Sequence, residues 1–154
     1  MDTGVFGFEA DFAGAMRCIP MAVRLKLDQC GVKLSLRQWN RFSREERERL
    51  LTDGCEGAAA STALREYVIR LIAARTGERA VELALEVAPA WADVQQVPVQ
   101  LDVRLAERGL GPLPLAQWAA LAPLQRYALL KLTRPSHDND NLVPALREFG
   151  LLKA

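Results

Sequence analysis

Leu34-Ser35-Leu36-Arg37-Gln38-Trp39 is echoed later in the chain as Leu113-Pro114-Leu115-Ala116-Gln117-Trp118. Internal self-similarity of this kind decides the fold before any single element is read. Working outward, Ile19-Pro20-Met21 aligns with Val97-Pro98-Val99, Leu27 with Leu105, and Gly31-Val32 with Gly109-Leu110. One extra residue then enters the second copy. Beyond the tryptophans, Phe42 aligns with Leu121, Arg47 with Arg126, and Leu50-Leu51 with Leu129-Leu130. Over residues 19–51, 10 of 33 aligned pairs are identical, including a Pro, a Gly and a Trp. Further on, Ala63-Leu64-Arg65-Glu66-Tyr67 echoes Ala145-Leu146-Arg147-Glu148-Phe149. The repeats therefore run about 19–73 and 97–154. Two copies are too few for a solenoid, so a closed pseudo-twofold bundle is expected.

Residues 20–30 carry two patterns. Met21, Val23, Leu25 and Leu27 alternate with polar or small residues, as in a strand. Pro20 suits the start of a helix, and Gly31 the left-handed position just past its end. Pro98 and Gly109 repeat the arrangement, so both segments are read as helices. A short helix about Ser35–Phe42 follows. Ser43 with Glu46 has the form of a capping box and opens a helix through Leu51. Leu64, Tyr67, Val68, Leu71 and Ile72 form a helical stripe, with Ser61 as its cap. A further helix is expected over Glu78–Ala88 with Val81, Ala84, Leu85 and Ala88 inward. Residues 89–96 read as a connector, and Leu142–Leu152 as the last helix. The expected fold is all-α: one compact domain, residues 1–154, of about eight short helices.

Composition excludes several function classes. In 154 residues the net charge is +1, half the residues are hydrophobic and a quarter charged, as in an ordinary globular domain. That balance does not favour nucleic acid or a membrane surface as partner. The first residues lack the basic start of a signal peptide. The longest charge-free run, residues 109–125, is interrupted by Pro112, Pro114 and Pro123, so a membrane span is not expected. Cys18, Cys30 and Cys55 are an odd set without CxxC, which suits free thiols in a cytoplasm.

Candidate chemistry is sparse. A single histidine, His137, removes most His-based metal sites and nucleophile–base pairs. Asp138 and Asp140 beside it lack the glycine and distal glutamate of a calcium loop. Cys18, beside the cation of Arg17 in the sequence, is the candidate reactive cysteine. The run Arg44-Glu45-Glu46-Arg47-Glu48-Arg49 spaces Arg44 with Glu48, and Glu45 with Arg49, four apart, as on a salt-bridged helix face. Residues 17–49 hold nine Lys or Arg against four acidic residues. That bias fits either a patch for an acidic partner or an ordinary surface. Trp39 and Trp118, at one repeat position, are expected in the core. The residues imply no metal, no cofactor and no catalytic set.

The N-terminal third carries a distinctive text: Phe6-Gly7-Phe8-Glu9-Ala10-Asp11-Phe12, Arg17-Cys18-Ile19-Pro20-Met21, Val23-Arg24-Leu25-Lys26-Leu27-Asp28, Gly31-Val32-Lys33-Leu34 and Trp39. This text resembles the nitrate reductase-associated protein family, best known from cyanobacteria. The resemblance implies a non-catalytic accessory role, with nitrate reductase as partner. Family members are typically encoded near assimilatory nitrate reductase and molybdenum-cofactor genes. No catalytic residues are established for the family, so none carry over. The matched Arg17, Cys18, Arg24, Lys26 and Asp28 are the candidate partner surface. Two other readings stand beside it. One is a carrier of the anionic molybdenum cofactor on the basic residues. The other is a nucleic-acid-binding regulator built on the two helices around Trp39 and Ser43, against which the near-neutral charge counts.

Overall fold

The computed structural model describes residues 5–9, 18–54, 57–134 and 141–152. The chain is mostly helical, with eight α-helices and one two-stranded sheet among the described residues. It divides into two compact units, residues 1–86 and 87–154.

In the first unit a 3₁₀ turn, Gly7–Glu9, precedes α1 (Met21–Cys30). Pro20 offers no side-chain cap to α1. The buried carboxylate of Glu9 does that work from twelve residues upstream, accepting from the Met21 N–H at 3.1 Å. Its other oxygen accepts from the Phe6 N–H at 3.1 Å. A carboxylate also complements the positive end of the helix. Gly31, at φ 76°, ends α1 with its N–H on the Leu27 carbonyl. The chain then enters β1 (Val32–Lys33), α2 (Leu36–Arg41) and α3 (Arg44–Thr52). Ser35 with Gln38, and Ser43 with Glu46, form reciprocal capping boxes at the two helix starts. The long helix α4 (Ala58–Thr76) buries Leu64, Val68, Leu71 and Ile72 against α1, α2 and β1. With Val23, Leu27, Trp39, Phe42 and Leu50 these make one core. Tyr67, the remaining member of the stripe, is half-buried at its edge.

Four expectations are corrected here. The helix α4 starts at Ala58 behind Gly57, so Ser61 is inside it and caps nothing. The segment expected as a helix over Glu78–Ala88 instead contains β2 (Val81–Glu82). It pairs antiparallel with β1, Val32 opposite Glu82 and Lys33 opposite Val81. The Leu83 N–H continues the ladder to the Gly31 carbonyl at 2.7 Å. The physical reason is not local. The segment fits both a strand and a helix period, the inward helical set of Val81, Ala84, Leu85 and Ala88 is half alanine, and Gly31, lacking a side chain, lets the Leu83 backbone approach and pair. The all-α expectation thus yields to a mostly helical chain with a small sheet. The last helix also stops at Glu148 rather than Leu152, with Gly150 at φ 76° just beyond it.

In the second unit α5 (Val99–Glu107), α6 (Leu115–Ala120) and α7 (Pro123–Lys131) precede α8 (Leu142–Glu148). Leu101, Leu105, Trp118, Leu129, Leu142 and Leu146 are buried. The residues 89–96 expected as a connector carry a 3₁₀ turn, Ala90–Ala92, packed on α7. The Asp93 carbonyl accepts from Trp118 Nε1 at 2.8 Å, and the Trp91 ring meets Tyr127 edge-on at 6.3 Å.

Both tryptophans have 0% exposure, as their shared position predicts. An arginine stands behind each. Arg47 donates from Nε to the Trp39 carbonyl at 3.1 Å and from Nη2 to Asn40 at 3.0 Å. Arg126, itself buried, donates from Nε to the Trp91 carbonyl at 2.6 Å and from Nη1 to the Leu121 carbonyl. A planar fork of N–H donors suits carbonyls left over at a helix end.

Candidate functional site

The text that resembles the family runs from the segment before α1 through α1 and β1 to Trp39 on α2. Val23, Leu27 and Cys30 are buried, which turns Arg24 and Asp28, four apart, to solvent on one face. Arg24 is steadied at that surface by an Nε–H donated to the Ile19 carbonyl at 3.0 Å. Cys18 is a half-exposed free thiol just ahead of the helix. The buried Cys30 thiol donates to the Leu27 carbonyl at 3.6 Å. Arg17 and Cys55 lie outside the described residues, as do His137, Asp138 and Asp140. Among the described residues, no three His, Cys, Asp or Glu side chains gather in a way that could hold a metal ion.

Lys26 does not share the Arg24 face. Its ammonium donates to the Leu50 and Leu51 carbonyls at 3.0 and 2.7 Å. A cation placed on the last carbonyls of α3 meets the negative end of that helix. It ties α3 to α1, a contact that the sequence did not reveal.

The basic bias of residues 17–49 is largely engaged within the unit. Arg37 pairs with Glu78, Arg44 with Glu48, and Arg49 with Asp53. The expected Arg49 partner was Glu45; Asp53, at the C-terminal end of α3, takes its place at 3.0 Å. Arg49 also lies over the Tyr67 ring, 4.1 Å from its centroid. Glu46 is clamped by Arg75 from α4, with Nη2 to Oε2 at 2.7 Å. The hydrogen bonds from Arg75 hold the Glu46 carboxyl below its ordinary value, with partial burial opposing. Glu78 is lowered likewise, by Arg37 first. Arg24, Lys33 and Arg41 remain exposed without an ion pair among the described residues. The cations of α3, which a DNA phosphate would need, face carboxylates or carbonyls instead.

Sequence reasoning named Lys26 for the partner surface and quoted Glu9, but missed that Glu9 caps α1, that Lys26 ties α3 to α1, and that two arginines clamp carbonyls near the tryptophans. Arg47 and Arg126 did carry a signal, because they are identical in the repeat alignment. Set within a charge run, Arg47 reads as surface. No helix among the described residues is long and apolar enough to cross a membrane.

A family model described as "Conserved nitrate reductase-associated protein" matches residues 5–149. The chain belongs to that family. No curated protein and no solved structure matches it.

Proposed function

We propose that this protein is a non-catalytic accessory factor. It assists the maturation or activity of assimilatory nitrate reductase through protein–protein contact. The observation that carries this reading is the family match over almost the whole chain. The contact surface is the solvent face of α1, with Arg24 and Asp28 at its centre and Cys18 at its N-terminal edge; Arg17, the preceding residue of the family text, is assigned to it from the sequence alone. Lys26 supports that face by fixing α3 beneath it. A cytoplasmic location goes with such a partner.

We further infer that the two units are copies of one helical element. In support, α1, α2 and α3 begin at residues 21, 36 and 44, and α5, α6 and α7 begin at the aligned residues 99, 115 and 123. The first unit, which carries the family text, is then the half that meets the partner.

The test is copurification of the reductase with the tagged full-length chain, comparing wild type with Arg24→Glu/Asp28→Lys. Both residues are exposed; the variant, checked for a wild-type unfolding curve, loses the reductase. Lys26 is left intact, because reversing its charge would place a carboxylate against two carbonyls and unseat α3 whatever its effect on binding. Equal recovery of reductase by the variant refutes the assigned face.

A further inference from the structure

Helices α1 and α5 start in the same way. Pro20 and Pro98 stand at the cap positions with φ −62° and −59° and ψ 151° and 136°. Neither offers a side-chain cap. The Pro20 carbonyl accepts from the Val23 and Arg24 N–H groups, and the Pro98 carbonyl from those of Leu101 and Asp102. What meets the two starts differs. At α1, Met21 is 6% exposed and Leu25 half-buried. The turn Phe6–Glu9 docks there. It is closed on itself, with the Glu9 N–H on the Phe6 carbonyl at 3.2 Å and the Phe6 and Phe8 rings stacked at 5.3 Å. Its buried carboxylate accepts from the Met21 N–H at 3.1 Å. At α5 the aligned residues Val99 and Val103, one turn apart on one side of the helix, are 68% and 50% exposed. The Val99 N–H has no acceptor among the described residues.

The chain before α5 is committed elsewhere. Residues 81–83 lie in the ladder with β1, and Ala90–Ala92 packs on α7. No turn is left over to do at α5 what Phe6–Glu9 does at α1. Charge and shape state what would. The open N–H groups at a helix start carry partial positive charge and favour a carboxylate. Two exposed valines beside them favour apolar rings. A second copy of this chain is a poorer occupant, because its own Phe6–Glu9 turn is engaged on its α1.

We propose that the start of α5, with Val99 and Val103, docks a segment of a partner protein that carries aromatic residues and a glutamate in the manner of Phe6–Glu9. The carboxylate accepts from the Val99 N–H, and the rings cover the two valines. This inference rests on the correspondence of α1 with α5 proposed above, and not on the assignment of the α1 face. Its test uses no reductase, so the two can fail separately.

The probe is the blocked peptide Val-Phe-Gly-Phe-Glu, the text of residues 5–9, titrated into the full-length protein and followed by nuclear magnetic resonance. It binds saturably and shifts the Val99 and Val103 amides. Glutamine in place of the peptide's glutamate weakens binding about tenfold, and alanine in place of both phenylalanines abolishes it. These comparisons leave the protein untouched. Val103→Asp sets a like charge beside the peptide's carboxylate; the variant, checked for a wild-type unfolding curve, loses the peptide. No saturable binding overturns the proposal. So does equal binding of the glutamine peptide. Shifts confined to Met21 and Leu25 also overturn it, because the peptide then replaces the chain's own turn at α1. A wild-type dimer in sedimentation that dissociates on Val103→Asp does the same, because the face then belongs to a second copy.

Discussion

Replacing Gly31 and Gly109 by alanine separates two causes that act at one aligned position. Both glycines are left-handed, with φ 76° and 71°, and each follows the first helix of its unit. An L-residue in that conformation costs about 1–2 kcal/mol. At Gly109 nothing else is added, since a Cβ there has no neighbour within 4 Å. At Gly31 the Cβ would stand 2.7 Å from the Leu83 carbonyl oxygen and 3.1 Å from Leu85 Cδ2. The first contact is with backbone held to Gly31 by its own hydrogen bond, so it cannot swing aside without opening the ladder. Overpacking of this kind adds about 1–3 kcal/mol. Gly109→Ala is therefore expected to cost about 1–2 kcal/mol and Gly31→Ala about 2–5 kcal/mol. Urea unfolding followed by far-ultraviolet circular dichroism measures both. Asparagine gives a second comparison, because it tolerates the left-handed region better than alanine does. It should recover stability at Gly109 and little at Gly31, where the Cβ remains. Hydrogen exchange at the Leu83 amide should accelerate only in the Gly31 variants. Equal costs at the two sites, or equal recovery by asparagine, would refute the reasoning.

Glu9→Ala leaves the Phe6 and Met21 N–H groups without their carboxylate and is expected to cost about 2–4 kcal/mol in urea unfolding. Lys26→Met keeps the apolar stem but strands the Leu50 and Leu51 carbonyls; a loss of about 1–2 kcal/mol is expected, with exchange at the end of α3 faster than in α2. Glu46 has a folded pKa below its ordinary 4.5 because Arg75 hydrogen-bonds its ionised form. Its contribution is therefore complete above that value and lost as pH falls through the lowered one. Glu46→Gln keeps the capping hydrogen bond to Ser43 and removes the charge, so the stability gap between wild type and variant should be constant near neutrality and close in acid. A gap that widens below pH 4.5 would show the sign to be wrong.

Features set by local rules were readable in the sequence. Pro20 and Gly31 bound α1, and the Ser43–Glu46 box opens α3 with both reciprocal bonds in place. The stripe of α4 was legible because four of its five members are buried outright and the fifth partly. What failed to show depends on residues far apart in the chain. Glu9 caps a helix from twelve positions away, and Lys26 reaches carbonyls 24 and 25 residues on. Neither has a local pattern. The strand β2 was hidden because residues 78–88 fit two periods, and the choice was made by Gly31, whose missing side chain lets Leu83 approach. Of the residues chosen for the candidate surface, burial separates two kinds. Arg24 and Asp28 emerged as an exposed pair, whereas Lys26 sat in the same motif but serves the scaffold.

The reading of the protein as a reductase accessory factor acting through α1 is tested most directly by quantifying nitrate reductase recovered with the tagged chain. The source is its own host grown on nitrate. The account predicts that wild type and Lys26→Arg retain the reductase and that Arg24→Glu/Asp28→Lys, with an unchanged unfolding curve, does not. Absence of reductase from the wild-type preparation, or equal amounts with the double variant, would contradict it.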